Sequence, residues 1–291
     1  MNFNDVTSLL AIDNPSVRRG LHDFFKAADF GVLTEVSTHV QLHKALEEQS
    51  PDLIVTAAEL DGFFIGHMIS AIRNTRLGGH PFPVVVMLSP MAGHEYLKQV
   101  IDSGPDDVLL MPVAPDQLLT RIRALTKRRK PFVVTQDYIG PDRRGKRRPG
   151  GEAVPLVDVP NPLSVKVAKG NLTLLRREIE TTADSLNAMK LARYAVQIKW
   201  LSEAILKMHR DDRVDRPTLG THAQRLCQIA EDVKLRAAVF ADASINGLAD
   251  ALTAAAETID DVKERLDDQG LERMSVSCHG LSQALSRLAP Q

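Results

Sequence analysis

The side chains that could do chemistry in the first part of the chain stand at the ends of short apolar runs. The residues at these ends are Ile12 and Asp13, Ala57, Ser89 and Met111. A carboxylate and a hydroxyl can bind a cation or a phosphoryl group, whereas the methyl group of Ala57 is no nucleophile. The end of the third run therefore lacks an atom to which a covalent intermediate could be attached.

Alternating strands and helices have to position these residues. The predicted strands are 8–12, 31–36, 52–56, 83–88 and 107–110, and the predicted helices are 15–28, 38–49, 64–75, 94–102 and 115–127. Short apolar strands separated by helix-length segments are typical of a parallel sheet with helices on both faces. The sequence thus predicts a doubly wound α/β fold, in which ligands bind at the carboxyl ends of the strands. The residues above lie at those ends.

This layout resembles the receiver domain of bacterial two-component response regulators. The stretches that carry the resemblance are LAIDNPSVRRGL, SPDLIVTAAELDG, PVVVMLSP, SGPDDVLLMP and PDQLLTRIRALTKRR. They run from about residue 7 to residue 128 without large gaps, in the order and spacing of the family. The resemblance implies a flavodoxin-like, five-stranded domain at residues 1–128 and a role in signal transduction.

The resemblance also implies a phosphorylation site, which this sequence keeps only in part. In the family, two adjacent acids help to hold Mg²⁺, an aspartate is phosphorylated, and a Ser or Thr and a Lys contact the phosphoryl group. Asp13 and Ser89 match this pattern, but Ile12 replaces the first acid, Ala57 the phosphorylated aspartate and Met111 the lysine. We therefore expect a pseudo-receiver that accepts no phosphoryl group, uses no cofactor and is not an enzyme.

Neighbouring positions bear on metal binding, switching and backbone geometry. Asp13 with Glu59 nearby is a poor ligand set for Mg²⁺, which prefers octahedral oxygen coordination, so no metal site is predicted. The family's switch aromatic is replaced by Val108, whose β-branched side chain has few rotamers. The corresponding bond before proline is cis in the family, and X-Pro bonds tolerate the cis form. The Met111-Pro112 bond is accordingly predicted to be cis.

Composition and charge exclude several classes of protein. The chain has 291 residues, of which 44% are hydrophobic and 25% charged, and its formal net charge is −1. It is long enough for two domains, and a charge near zero gives no general attraction to nucleic acid or membranes. The first residues lack the pattern of a signal peptide, and no run reaches the length of a membrane span. Cys227 and Cys278 are expected to be buried thiols in a reducing cytoplasm, although a bridge between them stays open.

Residues 129–162 differ from both flanks because glycine, proline and arginine dominate and helical periodicity stops. We interpret them as a solvated linker, in which the apolar residues around Tyr138 are enough to dock a short strand. The alternative is contact with a polyanion such as nucleic acid or with a lipid headgroup. The basic residues for such contact are Arg143, Arg144, Lys146, Arg147 and Arg148. The segment YIGPDRR resembles sequences found in linkers after receiver-like domains of bacterial signalling proteins.

Residues 163–291 have helical periodicity. A first helix at 171–209 is followed by a break, a second segment with a kink at Asn246 and Gly247, and a last helix after the sequence DDQG. The narrow apolar seam of these helices is typical of a bundle or a coiled coil. The seam of the first helix, formed by Leu172, Leu175, Ile179 and Leu186, needs a facing helix. Either the same chain or a second copy in a homodimer supplies it.

A helical bundle beside a receiver raises the alternative of histidine phosphotransfer. The candidates are His222 and His279, but neither is followed by the lysine and the small residue that the phosphotransfer family places three and four positions later. The favoured hypothesis is a non-catalytic signalling adaptor that acts through protein partners. A regulator that binds DNA or another polyanion through the basic linker is the alternative, and phosphotransfer is the third.

Overall fold

Two parts of the chain fold as separate compact units. The computed structural model describes residues 1–90, 93–144, 155–211, 215–237, 243–261 and 268–288. The units are Met1–Ala183 and Asp184–Gln291. This division departs from the predicted domains 1–128, 129–162 and 163–291, because residues 129–183 group with the first unit. None of the helices in the described ranges combines the length and the apolar character needed to cross a membrane.

The first unit contains the predicted parallel sheet. In chain order its elements are β1 (Thr7–Ala11), α1 (Pro15–Ala27), β2 (Val32–Val36), α2 (His39–Glu48), β3 (Leu53–Ala57), β4 (Glu59–Leu60), β5 (Phe63–Phe64), α3 (Gly66–Arg73), β6 (Val84–Ser89), α4 (His94–Asp102), β7 (Asp107–Leu110) and α5 (Pro115–Lys127). The sheet has five strands in the order β2-β1-β3-β6-β7, and all neighbouring pairs are parallel. The doubly wound α/β fold is confirmed.

The central strands of this sheet are covered on both faces. Every residue of β3, with the sequence LIVTA, and of β6, with the sequence VVVMLS, is buried. Continuous apolar runs of this kind are what strands buried on both sides require. At the carboxyl end of β1, the side chain of Asn14 accepts hydrogen bonds from the amides of Ser16 and Val17 at 3.0 and 3.1 Å. This N-cap fixes the start of α1 directly after Asp13.

A short hairpin follows β3. Asp61 and Gly62 connect β4 to β5 with φ angles of 45° and 82°, and an Asp-Gly pair suits a turn in which both central residues have positive φ. The Asp61 carboxylate accepts a hydrogen bond from the amide of His39 at 2.9 Å and lies 2.8 Å from the His39 Nδ1 atom. The hairpin is thereby tied to the first turn of α2. Because β5 occupies residues 63 and 64, α3 begins at Gly66, two residues later than predicted.

The predicted linker is folded where the structure describes it. It contains β8 (Phe132–Val134), β9 (Ile139–Pro141) and β10 (Leu156–Val157), which form an antiparallel sheet in the order β10-β8-β9, and it leads into α6 (Pro162–Val167). Leu163 of α6 is fully buried in the same core as the parallel sheet. The apolar side chains of β8, β9 and Leu163 are buried, so the described part of this segment differs from the solvated linker that the sequence suggested. We call residues 128–168 the extension.

The second unit is helical. It contains the carboxyl-terminal part of α7 (Leu172–Arg210), then α8 (Arg216–Ala237), α9 (Ala243–Asp261) and α10 (Asp268–Arg287). Apolar side chains from all four helices, such as Ile198, Leu226, Leu252 and Leu281, form a core of their own. The predicted all-helical domain is confirmed. Because α9 begins at Ala243, Asn246 and Gly247 fall inside a helix rather than at the predicted kink.

A buried polar network joins α7 to α8. The Tyr194 hydroxyl donates to the Asp232 carboxylate, which also accepts from Arg236 Nε at 3.0 Å. Arg236 in turn donates to the side-chain oxygen of Asn187 at 2.8 Å. Burial and the neighbouring Asp232 carboxylate raise the pKa of Tyr194. Because buried polar groups are costly without partners, this network favours one register of the two helices.

Candidate functional site

The parallel sheet brings the five sequence-predicted positions to one edge. Ala57 ends β3 and pairs in register with Leu88, the residue before Ser89. Ser89 ends β6, and its carbonyl oxygen accepts a hydrogen bond from the amide of Met111 at 2.8 Å. Ile12 directly follows β1 and is succeeded by Asp13. Because neighbouring parallel strands end at the same side of a sheet, all five residues lie at its carboxyl edge.

The burial of these five residues determines which groups at the carboxyl edge are accessible to a ligand. Ile12, Ala57 and Ser89 are 1%, 4% and 0% exposed, Met111 is half-buried, and Asp13 is exposed. The two polar side chains are engaged locally. The Ser89 hydroxyl donates to the carbonyl oxygen of Pro90 at 3.1 Å, and the Asp13 carboxylate accepts the amide of Asn14 at 2.7 Å. The edge is therefore largely apolar, with a single carboxylate at its rim.

A guanidinium group lies against the loop that follows β1. Arg18 donates from Nη1 to the carbonyl oxygens of Ile12 and Asp13 at 2.6 and 3.1 Å, and its Nε atom is 3.9 Å from the Glu35 carboxylate. The positively charged Arg18 side chain is thus held by hydrogen bonds to the backbone next to the Asp13 carboxylate. Sequence reasoning missed Arg18, although its position in the first turns of α1 was a usable signal.

Among the described residues, no three His, Cys, Asp or Glu side chains converge in a group that could hold a metal ion. The carboxyl edge contributes Asp13, and Glu59 of β4 is exposed beside it. Mg²⁺ is usually held by one or two carboxylates together with other oxygen ligands in octahedral geometry. The residues at this edge supply an incomplete set.

The predicted switch position packs into the core of the first unit. Val108 is half-buried and packs against the core of the first unit. In the same unit, the rings of Phe64 and Tyr96 meet edge to face with centroids 6.0 Å apart. Burial and the Glu59 carboxylate raise the pKa of Tyr96. The Met111-Pro112 peptide is cis, which confirms the predicted geometry.

The opposite edge of the sheet holds a buried cluster of charged residues. Asp106, which directly precedes β7, accepts Arg73 Nη2 at 2.8 Å and Arg129 Nε at 2.7 Å, and all three side chains are at most 3% exposed. Both guanidinium carbon atoms lie over the ring of Phe132, at 5.1 and 5.0 Å from its centroid. We call these four residues the Asp106 cluster. Because Arg129 and Phe132 belong to the extension, the cluster anchors it to the sheet.

The guanidinium groups of the Asp106 cluster have many further partners. Arg73 also donates to the carbonyl oxygens of Gly104, Pro81 and Pro83, and Arg129 donates to those of Phe82, Pro160 and Pro83, at 2.7 to 2.9 Å. Burial lowers the pKa of Arg73 to about 10. Burial alone would raise the pKa of Asp106, but Arg129 and Arg73 hold it below its ordinary value. The cluster is therefore charged at neutral pH.

The basic residues proposed for polyanion contact are engaged within the chain where the structure describes them. Arg143 donates to the carbonyl oxygen of Pro105, and Arg144 Nε donates to the Asp142 carboxylate at 2.8 Å. Hydrogen bonding from Arg144 lowers the pKa of Asp142. The other three predicted residues, Lys146, Arg147 and Arg148, lie outside the described residues.

The segment YIGPDRR has a packing role. A Cβ atom on Gly140 would stand 2.6 Å from the Tyr138 hydroxyl oxygen and 3.2 Å from the Cα atom of Gly104, which itself has a φ of +97°. The Tyr138 hydroxyl donates to the carbonyl oxygen of Pro141 at 2.9 Å. Glycine at both positions lets β9 approach the loop before β7, and Tyr138 covers the contact.

The two candidate phosphotransfer histidines differ in environment. His222 is half-buried, and its ring meets that of Trp200 edge to face with centroids 5.4 Å apart. His279 is exposed on α10 and lines a groove of about 440 Å³ together with Lys199 and Ser282. Cys278 beside it is a buried thiol whose pKa burial raises to about 12, and neither Cys278 nor Cys227 is in a disulfide. The bridge that the sequence left open is not formed.

Comparison with known proteins identifies residues 9–123 of the first unit. The family model of the response regulator receiver domain matches residues 9–123. Residues 9–123 are therefore a receiver domain of the response regulator family. A search of the curated proteins gave no significant match to the chain.

Several solved structures are similar to the chain. The response regulator DrrB of Thermotoga maritima, described as an OmpR/PhoB homolog, aligns at 18% identity and a TM-score of 0.38 over 46% of this chain and 57% of DrrB. A CheY-like receiver domain protein of Methanospirillum hungatei JF-1 aligns at 16% identity and a TM-score of 0.37 over 41% of this chain and 91% of its own. The receiver domain of the putative response regulator NarL from Mycobacterium tuberculosis aligns at 16% identity and a TM-score of 0.37. The alignment covers 43% of this chain and 98% of that domain.

Proposed function

We propose that this protein is a non-catalytic signalling adaptor, whose receiver domain is not switched by phosphorylation and acts through contacts with protein partners. The observation that carries the proposal is Ala57 at the end of β3. Phosphorylation of a receiver needs an oxygen nucleophile at this position, and a methyl group has none. The side chain is also buried.

The surroundings of Ala57 support the same proposal. Phosphoryl transfer depends on positioning and on cations that neutralise the developing charge. Here Ile12 is buried where an acid would help to hold Mg²⁺, and Met111 supplies a thioether where a lysine would contact the phosphoryl group. The one guanidinium at this edge, that of Arg18, is engaged with backbone carbonyls. The carboxyl edge therefore lacks the oxygen nucleophile, one of the acids that would hold Mg²⁺, and the lysine that would balance the charge of the phosphoryl group.

The proposal is tested by incubating the purified full-length protein with acetyl phosphate and Mg²⁺ and measuring its intact mass. We expect no stable acyl phosphate, because Ala57 offers no oxygen. The variant Ala57→Asp should also label poorly, because Ile12 and Met111 remain. Labelling of a carboxylate in the first unit of the wild-type protein would refute the proposal.

A matched variant controls for the assay. The triple variant Ile12→Asp, Ala57→Asp and Met111→Lys restores the three replaced positions while Asp13 and Ser89 stay in place. We expect this variant to label where Ala57→Asp alone does not. Failure of the triple variant to label, in a folded protein, would mean that other features of the carboxyl edge, such as Arg18, also block the reaction.

Histidine phosphotransfer is the second candidate function, and the exposure of His279 in a groove with Lys199 is the observation that favours it. Incubation with a phosphorylated receiver domain, followed by detection of acid-labile phosphate, tests it. A label that is present in the wild type and absent in His279→Gln would favour phosphotransfer over the adaptor. Polyanion binding has weaker support, because Arg143 and Arg144 are engaged within the extension.

Partners of such an adaptor are signalling proteins of a reducing cytoplasm, where Cys227 and Cys278 would stay unbridged, as they are in the structure. Self-association through the C-terminal helices is one form of the proposed contact. Salt-dependent binding to mixed DNA separates the adaptor from a polyanion-binding regulator, because phosphate contacts weaken steeply as salt rises.

A further inference from the structure

One face of α7 in the second unit exposes large apolar side chains. Val196 and Trp200 stand one helical turn apart and are 63% and 59% exposed. The opposite face of the same stretch lies in the core, where Ile198, Leu201 and Ile205 are at most 2% exposed. The helical period places eight residues on the exposed side, and we call them the Trp200 face: Met189, Ala192, Arg193, Val196, Trp200, Glu203, Ala204 and Lys207.

The exposure of Trp200 is the most informative feature of this face. It is the only tryptophan in the chain, and its ring meets that of His222 edge to face. Tryptophan is enriched among the residues that dominate binding energies at protein interfaces. The seam residues Leu175 and Leu186, for which the sequence left open a facing helix from the same chain or from a second copy, are only 5% and 2% exposed. Beyond residue 186, the large apolar side chains that α7 exposes, Val196 and Trp200, belong to the Trp200 face.

The arrangement of charge and bulk on this face is self-complementary. Two copies of α7 that run antiparallel about a two-fold axis at residue 198 bring Val196 of each copy opposite Trp200 of the other. The same axis brings Arg193 opposite the turn that holds Glu203 and Ala204, where the small alanine leaves room for an Arg-Glu ion pair. A parallel arrangement would instead place Arg193 opposite Arg193 and Glu203 opposite Glu203. Like charges across an interface are unfavourable, so the pattern selects the antiparallel form.

We propose that the Trp200 face is the interface of a two-fold symmetric, antiparallel homodimer. The inference rests on the proposed adaptor function, in which the protein acts by protein contact. An isologous interface uses the same patch of both subunits, as this one does. The face runs over residues 189–207, roughly 28 Å of helix at 1.5 Å per residue. Two such helices bury an area at the low end of specific interfaces, so the dimer should dissociate on dilution.

The test is sedimentation equilibrium of the full-length protein over a range of concentrations, together with the fluorescence of Trp200. We expect a monomer–dimer equilibrium and a blue shift of the emission as the dimer forms. Trp200→Ala should weaken dimerisation by at least about tenfold, in line with the loss of a central aromatic anchor. Val276→Asp is the matched control, because Val276 is 66% exposed on α10 and lies outside the face. It should leave the equilibrium unchanged.

A charge exchange separates this interface from a general loss of folding. Arg193→Glu and Glu203→Arg should each weaken the dimer, because each places like charges opposite one another. The double exchange restores both ion pairs and should recover the wild-type dissociation constant within about threefold. A wild-type protein that stays monomeric at about 100 µM overturns the proposal, because this concentration lies far above the dissociation constants of standard interfaces. So does a double exchange that fails to recover. Neither result bears on acetyl phosphate labelling, which tests the adaptor function separately.

Discussion

At the scale of single residues, Asp106 has the most demanding environment in the first unit. Its carboxylate is buried between two guanidinium groups and also accepts the amide of Val85 at 2.8 Å. Removing one partner of a buried ion pair leaves an uncompensated charge. Asp106→Asn should therefore destabilise the first unit by about 3 to 5 kcal/mol, measured by urea unfolding followed by circular dichroism.

Asp107→Asn is the matched control for this change. Asp107 is the next residue in the chain, its carboxylate is partly exposed, and it lies 3.7 Å from the half-exposed Arg121. An exposed ion pair contributes little, so the loss should stay below about 1 kcal/mol. Equal losses for the two variants would contradict the importance assigned to the Asp106 cluster.

His80 makes the stability of the first unit depend on pH. Burial, followed by the positive charges of Arg129 and Arg73, lowers the pKa of His80 from 6.5 to about 4. Protonation then favours the unfolded chain, so the contribution of His80 is complete above pH 6.5 and is lost as the pH falls to about 4. We expect the free energy of unfolding to decrease over this range.

The variant His80→Asn isolates this effect. The Nδ1 atom of His80 accepts the amide of Phe82 at 3.0 Å, and an asparagine oxygen can replace that acceptor without titrating. Urea unfolding at several pH values between about 4 and 7 should give a flatter profile for the variant. A wild-type and variant profile of the same slope would show that other groups control this range.

At the scale of elements, the close approach of β9 to the loop before β7 depends on Gly140. An alanine there would bring its Cβ atom to 2.6 Å from the Tyr138 hydroxyl oxygen and 3.2 Å from the backbone of Gly104. Overpacking of this kind costs about 1 to 3 kcal/mol. Gly140→Ala should lower the stability of the first unit by that amount and increase hydrogen exchange in β8 and β9.

Gly20→Ala provides a control of opposite sign. Gly20 lies in the interior of α1, and a Cβ atom built there meets nothing within 4 Å. Alanine in a helix interior is favoured over glycine by about 0.5 to 1 kcal/mol, so this variant should be stabilised. A stabilised Gly140→Ala would disprove the packing role given to YIGPDRR.

At the scale of the whole molecule, each unit has its own cluster of buried apolar side chains. Leu281 is fully buried in the second cluster, and Leu→Ala changes in a core cost about 2 to 5 kcal/mol. Leu281→Ala should lower the unfolding midpoint reported by Trp200 fluorescence, because the tryptophan belongs to the second unit. Hydrogen exchange in β3 and β6 of the first unit should stay unchanged. Faster exchange in those strands would indicate that the units unfold cooperatively.

The sequence by itself determined the parallel sheet and the state of its carboxyl edge. Strands β3 and β6 are short, mainly apolar runs, and this local signal located them within one residue. The identities of Ile12, Ala57 and Met111 could be read directly, because each directly follows or ends a strand. Arg18 was missed, since its hydrogen bonds to the carbonyl oxygens of Ile12 and Asp13 depend on how α1 packs.

Only the tertiary structure showed that the extension is folded onto the sheet and that the seam on α7 is covered. Arg129 lies in a basic run that predicts a solvated segment, but its partner Asp106 is 23 residues away in the chain. Local periodicity cannot predict a contact between residues that far apart in the chain. Because the ion pair is buried between the sheet and the extension, it fixes the extension against the sheet. In the same way, three- and four-residue spacing placed Leu186 on a seam, but the packing of helices in the second unit determined that Leu186 is covered and Trp200 is exposed.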